Sequence, residues 1–415
     1  MKIKTVITIA LLFAFFSILF IFNNRLFLDF PIRSNLIINS NLKPSSTPLG
    51  PVQDLTFEEK IDKIMNKMTI EEKIGQMLII YDTHETVDKE LKEFIEDVKP
   101  SGFIINQSNI TTFAKTKKYI ADLKANSEIP LIISIDQEGG SVQRLQNLED
   151  KKATYVPSMF YVGKTKDYDL AYEVGQVLAE DMRTLGINVA YAPVCDIFSN
   201  PNNKVIGNRS FGTSPNLVAN MCTSLGKGLE DNGIIATYKH FPGHGDTATY
   251  SHTSLPVINK TYEELLNNEL IPFKKAIENN AKIIMIGHIS FPSLTGNNTP
   301  ASLSKEVITN LLKNKLGYDG LVITDALNMG ALTNNYTDEE IYVKAVAAGV
   351  DLLLMPSDAK EAVEAIKNNI SEERIDESVK KILLFKYTYL KDNVLDESYL
   401  NSKAHQDIIN KIPVE

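Results

Sequence analysis

IIATYKHF, residues 234–241, is an apolar run with no acidic residue that ends on Lys239 and His240. A run of this length so little broken by charge fits a β-strand covered on both faces, as in parallel sheets. The same plan recurs along the chain. GQMLIIYD (75–82), GFIINQ (102–107), PLIISID (130–136) and NVAYAPVCD (188–196) precede it, and KIIMIGHIS (282–290), LVITDAL (321–327) and DLLLMP (351–356) follow. Amphipathic segments separate the runs. In 304–316, Ser304 is an N-cap, Val307, Ile308, Leu311 and Leu312 form one apolar face, and Gly317 stops the helix. Eight strands alternating with helices predict an α/β chain with a single (β/α)8 TIM-type barrel. The alternative is a doubly wound open sheet, but no GxGxxG follows the first strand.

Outward from the barrel, the chain divides into four parts. Lys2 and Lys4 precede an apolar run from Val6 to Phe22, long enough to span a bilayer and lacking a clear cleavage site. Residues 1–22 are therefore read as an uncleaved signal anchor, with a long signal peptide as the alternative. Lysines on its N-terminal side place the body outside the cytoplasm, anchored to the outer face of the cell membrane or secreted. Residues 23–55, rich in Asn, Ser and Pro, form a flexible linker. The barrel domain is expected over 56–395, entered through capping boxes at Thr56/Glu59 and Thr69/Glu72. Residues 396–415 read as a C-terminal tail.

Composition narrows the function. Of 415 residues, 43% are hydrophobic and 23% charged, which suits a large globular core, and the net charge is −9. An acidic chain without a dense Lys/Arg run argues against nucleic acid as a partner. Cys195 and Cys222 are the only cysteines and have no zinc-type spacing. They are either two buried thiols or, in an exported chain, a disulfide.

Polar residues gather at the C-terminal ends of the runs: Asp136, Asp196, Lys239-His240, His288 and Asp325. That is the active-site end of a barrel. The loop KHFPGHGDTATYSH, residues 239–252, carries three of the six histidines over the barrel mouth. A metal site from His240, His244 and His252 is an alternative, although no carboxylate spacing supports it. His244 and Asp246 sit between glycines, where loop packing is the simpler role.

KHFPGHGDT followed by SH closely resembles the signature of glycoside hydrolase family 3, in its N-acetylglucosaminidase branch. IDQEGGSVQRL (135–145), GNRSFG (207–212), ELIPFKKAI (269–277) and LVITDALNM (321–329) are similar to further family segments. The resemblance implies a retaining exo-β-N-acetylhexosaminidase acting on terminal β-N-acetylglucosaminides, in peptidoglycan fragments or chitin oligosaccharides. It implies no metal and no organic cofactor. Asp325 matches the family nucleophile, and His252 the histidine that protonates the leaving oxygen. Asp136, Arg144, Arg209, Lys239 and His240 match the substrate-binding residues. The family usually has an aspartate two residues before that histidine, where this chain has Tyr250. A tyrosine can orient His252 but supplies no negative charge. Asp246 is a second candidate for orienting it. Two alternatives follow: a β-glucosidase or xylosidase specificity, and a catalytically weakened sugar-binding, wall-associated protein. The two-domain β-glucosidase branch takes its acid/base from an added domain, for which the chain beyond the barrel is expected to be too short.

Overall fold

The computed structural model describes residues 55–247 and 255–413. The strands are β1 (Leu78–Tyr81), β2 (Gly102–Ile105), β3 (Ile132–Ile135), β4 (Gln137–Gly139), β5 (Val142–Gln143), β6 (Val189–Ala190), β7 (Ile235–Phe241), β8 (Ile283–Ile286), β9 (Leu321–Thr324) and β10 (Leu353–Leu354). Eight of them form one sheet in the order β10-β1-β2-β3-β6-β7-β8-β9, and every pairing is parallel. The open edges nearly close. Thr324 donates its N–H to the Leu352 carbonyl at 3.1 Å, and Leu327 to that of Leu354 at 2.9 Å. The result is a nearly closed eight-stranded parallel barrel of the TIM type, not an open doubly wound sheet. β4 and β5 make a small antiparallel hairpin directly after β3.

The strands are buried because their side chains are apolar on both faces. β2, β3, β7, β8 and β9 are buried throughout. In NVAYAPVCD the regular strand is Val189–Ala190, and pairing with β7 resumes as an isolated parallel bridge between Val194 and Lys239 beyond Pro193, which has no N–H to donate to a ladder. Thr56/Glu59, Thr69/Glu72 and Thr261/Glu264 all form reciprocal capping boxes.

Segment 304–316 departs from expectation in its winding. Glu306–Lys315 is wound with π-type bonds, as when the Leu316 N–H reaches the Leu311 carbonyl at 3.0 Å. Its buried face is still Val307, Ile308, Leu311 and Leu312, and the Ser304 hydroxyl accepts the Val307 N–H at 3.4 Å. Part of the expected tail is ordered structure. Lys403–Ile409 is a helix packed on the helix Tyr168–Leu185, with His405 1% exposed. Cys195 and Cys222 are buried free thiols with their sulfurs 2.8 Å apart. The anchor and most of the linker, at 1–54, lie outside the described residues. No helix among the described residues is long and apolar enough to cross a membrane.

Candidate active site

Backbone topology brings the strand-end residues together. Asp136 follows β3, Asp196 follows β6, Lys239 and His240 end β7, His288 follows β8 and Asp325 follows β9. Two clusters result.

The first is built on Lys239. Its Nζ lies 2.7 Å from Asp136 Oδ1 and 2.6 Å from Glu138 Oε1. Arg209 grips the same Glu138 through Nε and Nη2, both at 2.8 Å. Burial opposes ionisation of Glu138, yet Arg209 and Lys239 outweigh it and hold the carboxyl well below its ordinary value. Burial likewise works against the charge on Arg209 and Lys239. Glu138 outweighs it for Arg209, Asp136 and Glu138 for Lys239, and both pKa values rise. All three stay charged at neutral pH. Arg144 donates its backbone N–H to the Asp136 carbonyl at 3.4 Å. Its side-chain Nε is buried with no partner among the described residues. A donor in that state is available to a ligand hydroxyl.

The second cluster is built on Asp196, which is fully buried. Its Oδ2 accepts from His240 Nδ1 at 2.7 Å, and its Oδ1 from the His244 backbone N–H at 2.6 Å. Burial opposes its charge, but His240 outweighs this and lowers its pKa. With Nδ1 committed to the carboxylate, Nε2 is the His240 ring nitrogen left for a ligand. His244 is pushed down to about 4 by burial and then by His240, so it is neutral in the physiological range. Its ring bonds Thr247 Oγ1 at 2.9 Å. His244 is thus part of the loop's packing.

Asp325 stands between these clusters electrostatically. Burial raises its pKa, but His240, His288, the Ala326 N–H and Lys239 together bring it below the ordinary value. Its Oδ1 accepts the Ala326 N–H at 2.8 Å, and its own N–H is tied to the Ile286 carbonyl at 2.9 Å. Oδ2 makes no hydrogen bond among the described residues. The residue is therefore an ionised carboxylate with one oxygen fixed and one available. His288 holds the turn that follows: its Nε2–H donates to the Ala326 carbonyl at 2.9 Å, and Nδ1 pairs with Ser302 Oγ at 2.8 Å.

Asp136, Arg209, Lys239, His240 and Asp325 thus share one charged site, and Arg144 adjoins it through Asp136. Among the described residues, Asp246 has Lys260 Nζ 3.2 Å from its Oδ2 and accepts from Ser199 Oγ through Oδ1 at 3.3 Å. His252 and Tyr250 lie outside the described residues. No group of three potential metal ligands occurs among the described residues. Glu138 is the functional residue that sequence reasoning missed. Its signal is an acid placed two residues after Asp136 and directly before Gly139 and Gly140, whose positive φ values of 104° and 58° turn the hairpin back over the barrel.

The Glycosyl hydrolase family 3 N terminal domain matches residues 69–385. Over 336 residues the chain is 32% identical to Beta-hexosaminidase A of Pseudoalteromonas piscicida, covering 76% of this chain and 54% of that protein. Over 271 residues it is 31% identical to Beta-hexosaminidase of Nitrosomonas eutropha, covering 64% and 76%. Among solved structures, a glycoside hydrolase family 3 beta-N-acetylglucosaminidase from Paenibacillus sp. str. FPU-7 superposes with a TM-score of 0.78 at 36% identity, covering 83% of this chain and 68% of that one. The chain spans about half the length of the Pseudoalteromonas protein.

Proposed function

The chain belongs to glycosyl hydrolase family 3, and we propose that it is a retaining exo-β-N-acetylhexosaminidase that releases terminal β-linked N-acetylglucosamine. The observation that carries this reading is Asp325, whose ionised carboxylate keeps one oxygen free at the mouth of the barrel. Retaining glycosidases need such a nucleophile. Asp325 Oδ2 attacks the anomeric carbon while His252 protonates the departing glycosidic oxygen. The product is a glycosyl-aspartate. Water, deprotonated by His252, then releases the sugar and restores the carboxylate.

The remaining residues bind and orient. Lys239, shared between Asp136 and Glu138, and the spare donors of Arg144 and Arg209 suit a hydroxyl-rich sugar ring. His240 Nε2 hydrogen-bonds a further hydroxyl. Glu138 is a positioning residue, since it aligns both Arg209 and Lys239. Peptidoglycan fragments or chitin oligosaccharides are the proposed substrates. The apolar run at 6–22 is proposed to hold the enzyme on the outer face of the membrane.

Asp325→Ala should lower turnover by about 10⁴-fold or more while leaving the fold intact, and a 2-fluoro sugar should label Asp325. Labelling of another carboxylate would sink the assignment. Tyr250 favours a second reading, a sugar-binding protein with weak turnover. Tyr250→Asp separates the two. It should raise the rate on poor leaving groups by part of the 10²–10⁴ that a positioned acid contributes, on the order of tenfold. Sugar binding with no turnover in either form supports the second reading.

A further inference from the structure

The loop that leaves β7 and carries His252 is held by groups outside the charged site. Its outbound limb is seated twice on the helix Leu270–Glu278. Phe241 meets Phe273 edge to face, with ring centroids 5.2 Å apart. Gly243 lies against the stem of Glu269, the residue that opens this helix: a Cβ at Gly243 would come within 2.8 Å of Glu269 Cβ and Cγ. The return limb is sewn to the chain beyond β8. Ser290 donates its N–H to the Pro256 carbonyl at 2.8 Å, and Ile258 donates to the Ser290 carbonyl at 2.9 Å. Ser293 Oγ donates to the Lys260 carbonyl.

An ion triad joins the two limbs. Lys260 Nζ lies 2.5 Å from Glu269 Oε1 and 3.2 Å from Asp246 Oδ2. Asn268 Nδ2 donates to the same Glu269 oxygen at 2.9 Å. Glu269 is 1% exposed, and its Oε2 has no partner among the described residues. The side chains of Lys260 and Asp246 are each partly open to solvent. Burial works against the charge on Lys260, but Glu269 and then Asp246 outweigh it and raise its pKa, so it stays charged at neutral pH. A carboxylate buried this deeply with one oxygen unmatched is a poor source of stability, because desolvation offsets the attraction. What the triad secures is geometry. It ties Asp246, six residues before His252, to Lys260, eight residues after it.

We propose that Glu269 and Lys260, with Asp246, are positioning residues for the acid step, clasping the two limbs of the loop so that His252 is presented to the leaving oxygen. This role presupposes the glycosidase reading with His252 as its acid. The effect of the three passes through the loop. Misplacing a reacting group by about 1 Å costs on the order of 10²-fold. Loss of the clasp should therefore remove part of what the acid contributes, and only where the leaving group needs a proton.

Phenyl and dinitrophenyl β-N-acetylglucosaminides separate this role from plain stability. Phenolate needs a proton to leave, dinitrophenolate hardly does, and kcat/KM reads the step in which the glycosidic bond breaks. Lys260→Met should lower kcat/KM about tenfold on the phenyl substrate and less than about twofold on the dinitrophenyl one. Lys260→Arg should restore most of the loss. Glu269→Gln should resemble Lys260→Met. Adding Asp246→Asn to Lys260→Met should cost little more than Lys260→Met alone, since both remove one contact. His252→Ala sets the scale, with the same selectivity against the phenyl substrate and a larger loss. Should Glu269→Gln fail to fold, the two partly exposed positions decide alone. If His252→Ala is selective and Lys260→Met lowers both substrates equally or neither, the clasp is overturned and the acid assignment stands. If His252→Ala lowers both equally, the acid assignment falls and the clasp falls with it. Wild-type protein that cleaves neither substrate overturns the glycosidase reading and this role together.

Discussion

Glu138 and Asp351 are buried almost equally, at 2% and 1% exposure, and both are surrounded by cations. They lie at opposite ends of the barrel, Glu138 just beyond β3 and Asp351 just before β10. Asp351 is closed off. Ser378 Oγ donates to its Oδ1 at 2.7 Å, the Val322 N–H to its Oδ2 at 3.0 Å, and Lys313, Arg374 and Lys381 lie at 3.4–4.0 Å. Burial opposes its charge, but Lys381 and Lys313 outweigh this, with the Val322 N–H and Arg374 adding to them. Those contacts tie helix Glu372–Tyr389 and segment Glu306–Lys315 to the strand ends. Glu138 instead sits in a network with spare capacity: Lys239 also serves Asp136, Arg209 lines a cleft, and Arg144 Nε has no partner among the described residues. Buried charge of the same kind thus closes the base of the barrel and leaves the mouth open to a ligand.

Substitutions should break this symmetry in stability and in rate. Asp351→Ala leaves three cations around an empty centre and an unmatched Val322 N–H. Loss of one side of a buried ion cluster costs about 3–5 kcal/mol, which denaturant melts would read. The folded fraction should keep normal turnover. Glu138→Gln should do the reverse. Lys239 retains Asp136 as its counter-ion, so unfolding free energy should fall less than for Asp351→Ala. Misaligned Arg209 and Lys239 should cost about 10²-fold in kcat/KM, the scale of displaced binding groups. If the two variants show the same ratio of stability loss to rate loss, the assigned division of labour between the ends is wrong.

Most of this barrel is legible in the chain, because a strand covered on both faces must be almost free of charge. Asp136, Asp196, His240 and Asp325 are legible for the complementary reason, that a polar residue ending such a run lands at the barrel mouth. What sequence hides is pairing between distant segments. Nothing near Arg209 announces Glu138, and their contact spans 71 positions. The roles of single residues in Gly-rich loops are equally hidden: nothing in the local sequence announces that Asp246 pairs with Lys260. Residues 396–413 look like a tail because they are polar, yet they carry the helix Lys403–Ile409.

That helix yields the smallest expected effect, and it sharpens the comparison with a third buried cluster. His405 Nε2 lies 2.8 Å from Glu180 Oε2, and Nδ1 lies 3.0 Å from Thr154 Oγ1 and 3.2 Å from Asp181 Oδ1. Asp181 also accepts the backbone N–H groups of Thr154 and Asn401. Burial works against the charged ring, but Asp181 and Glu180 outweigh it, so the His405 pKa is raised above its ordinary 6.5. A group with a raised folded pKa stabilises fully below its unfolded value and loses that contribution as pH rises through the folded one. The protein should therefore lose stability, by about 1.5–3 kcal/mol at most, the scale of a hydrogen bond to a charged group, as pH rises above the ordinary histidine value of 6.5. Asp351 and Glu138, with lowered pKa values, should contribute no slope in that window. Urea melts across this range should give a falling stability for the wild type and a flatter profile for His405→Gln. Parallel profiles would mean that His405 packs as a neutral ring and that its carboxylate neighbours serve only Thr154 and Asn401.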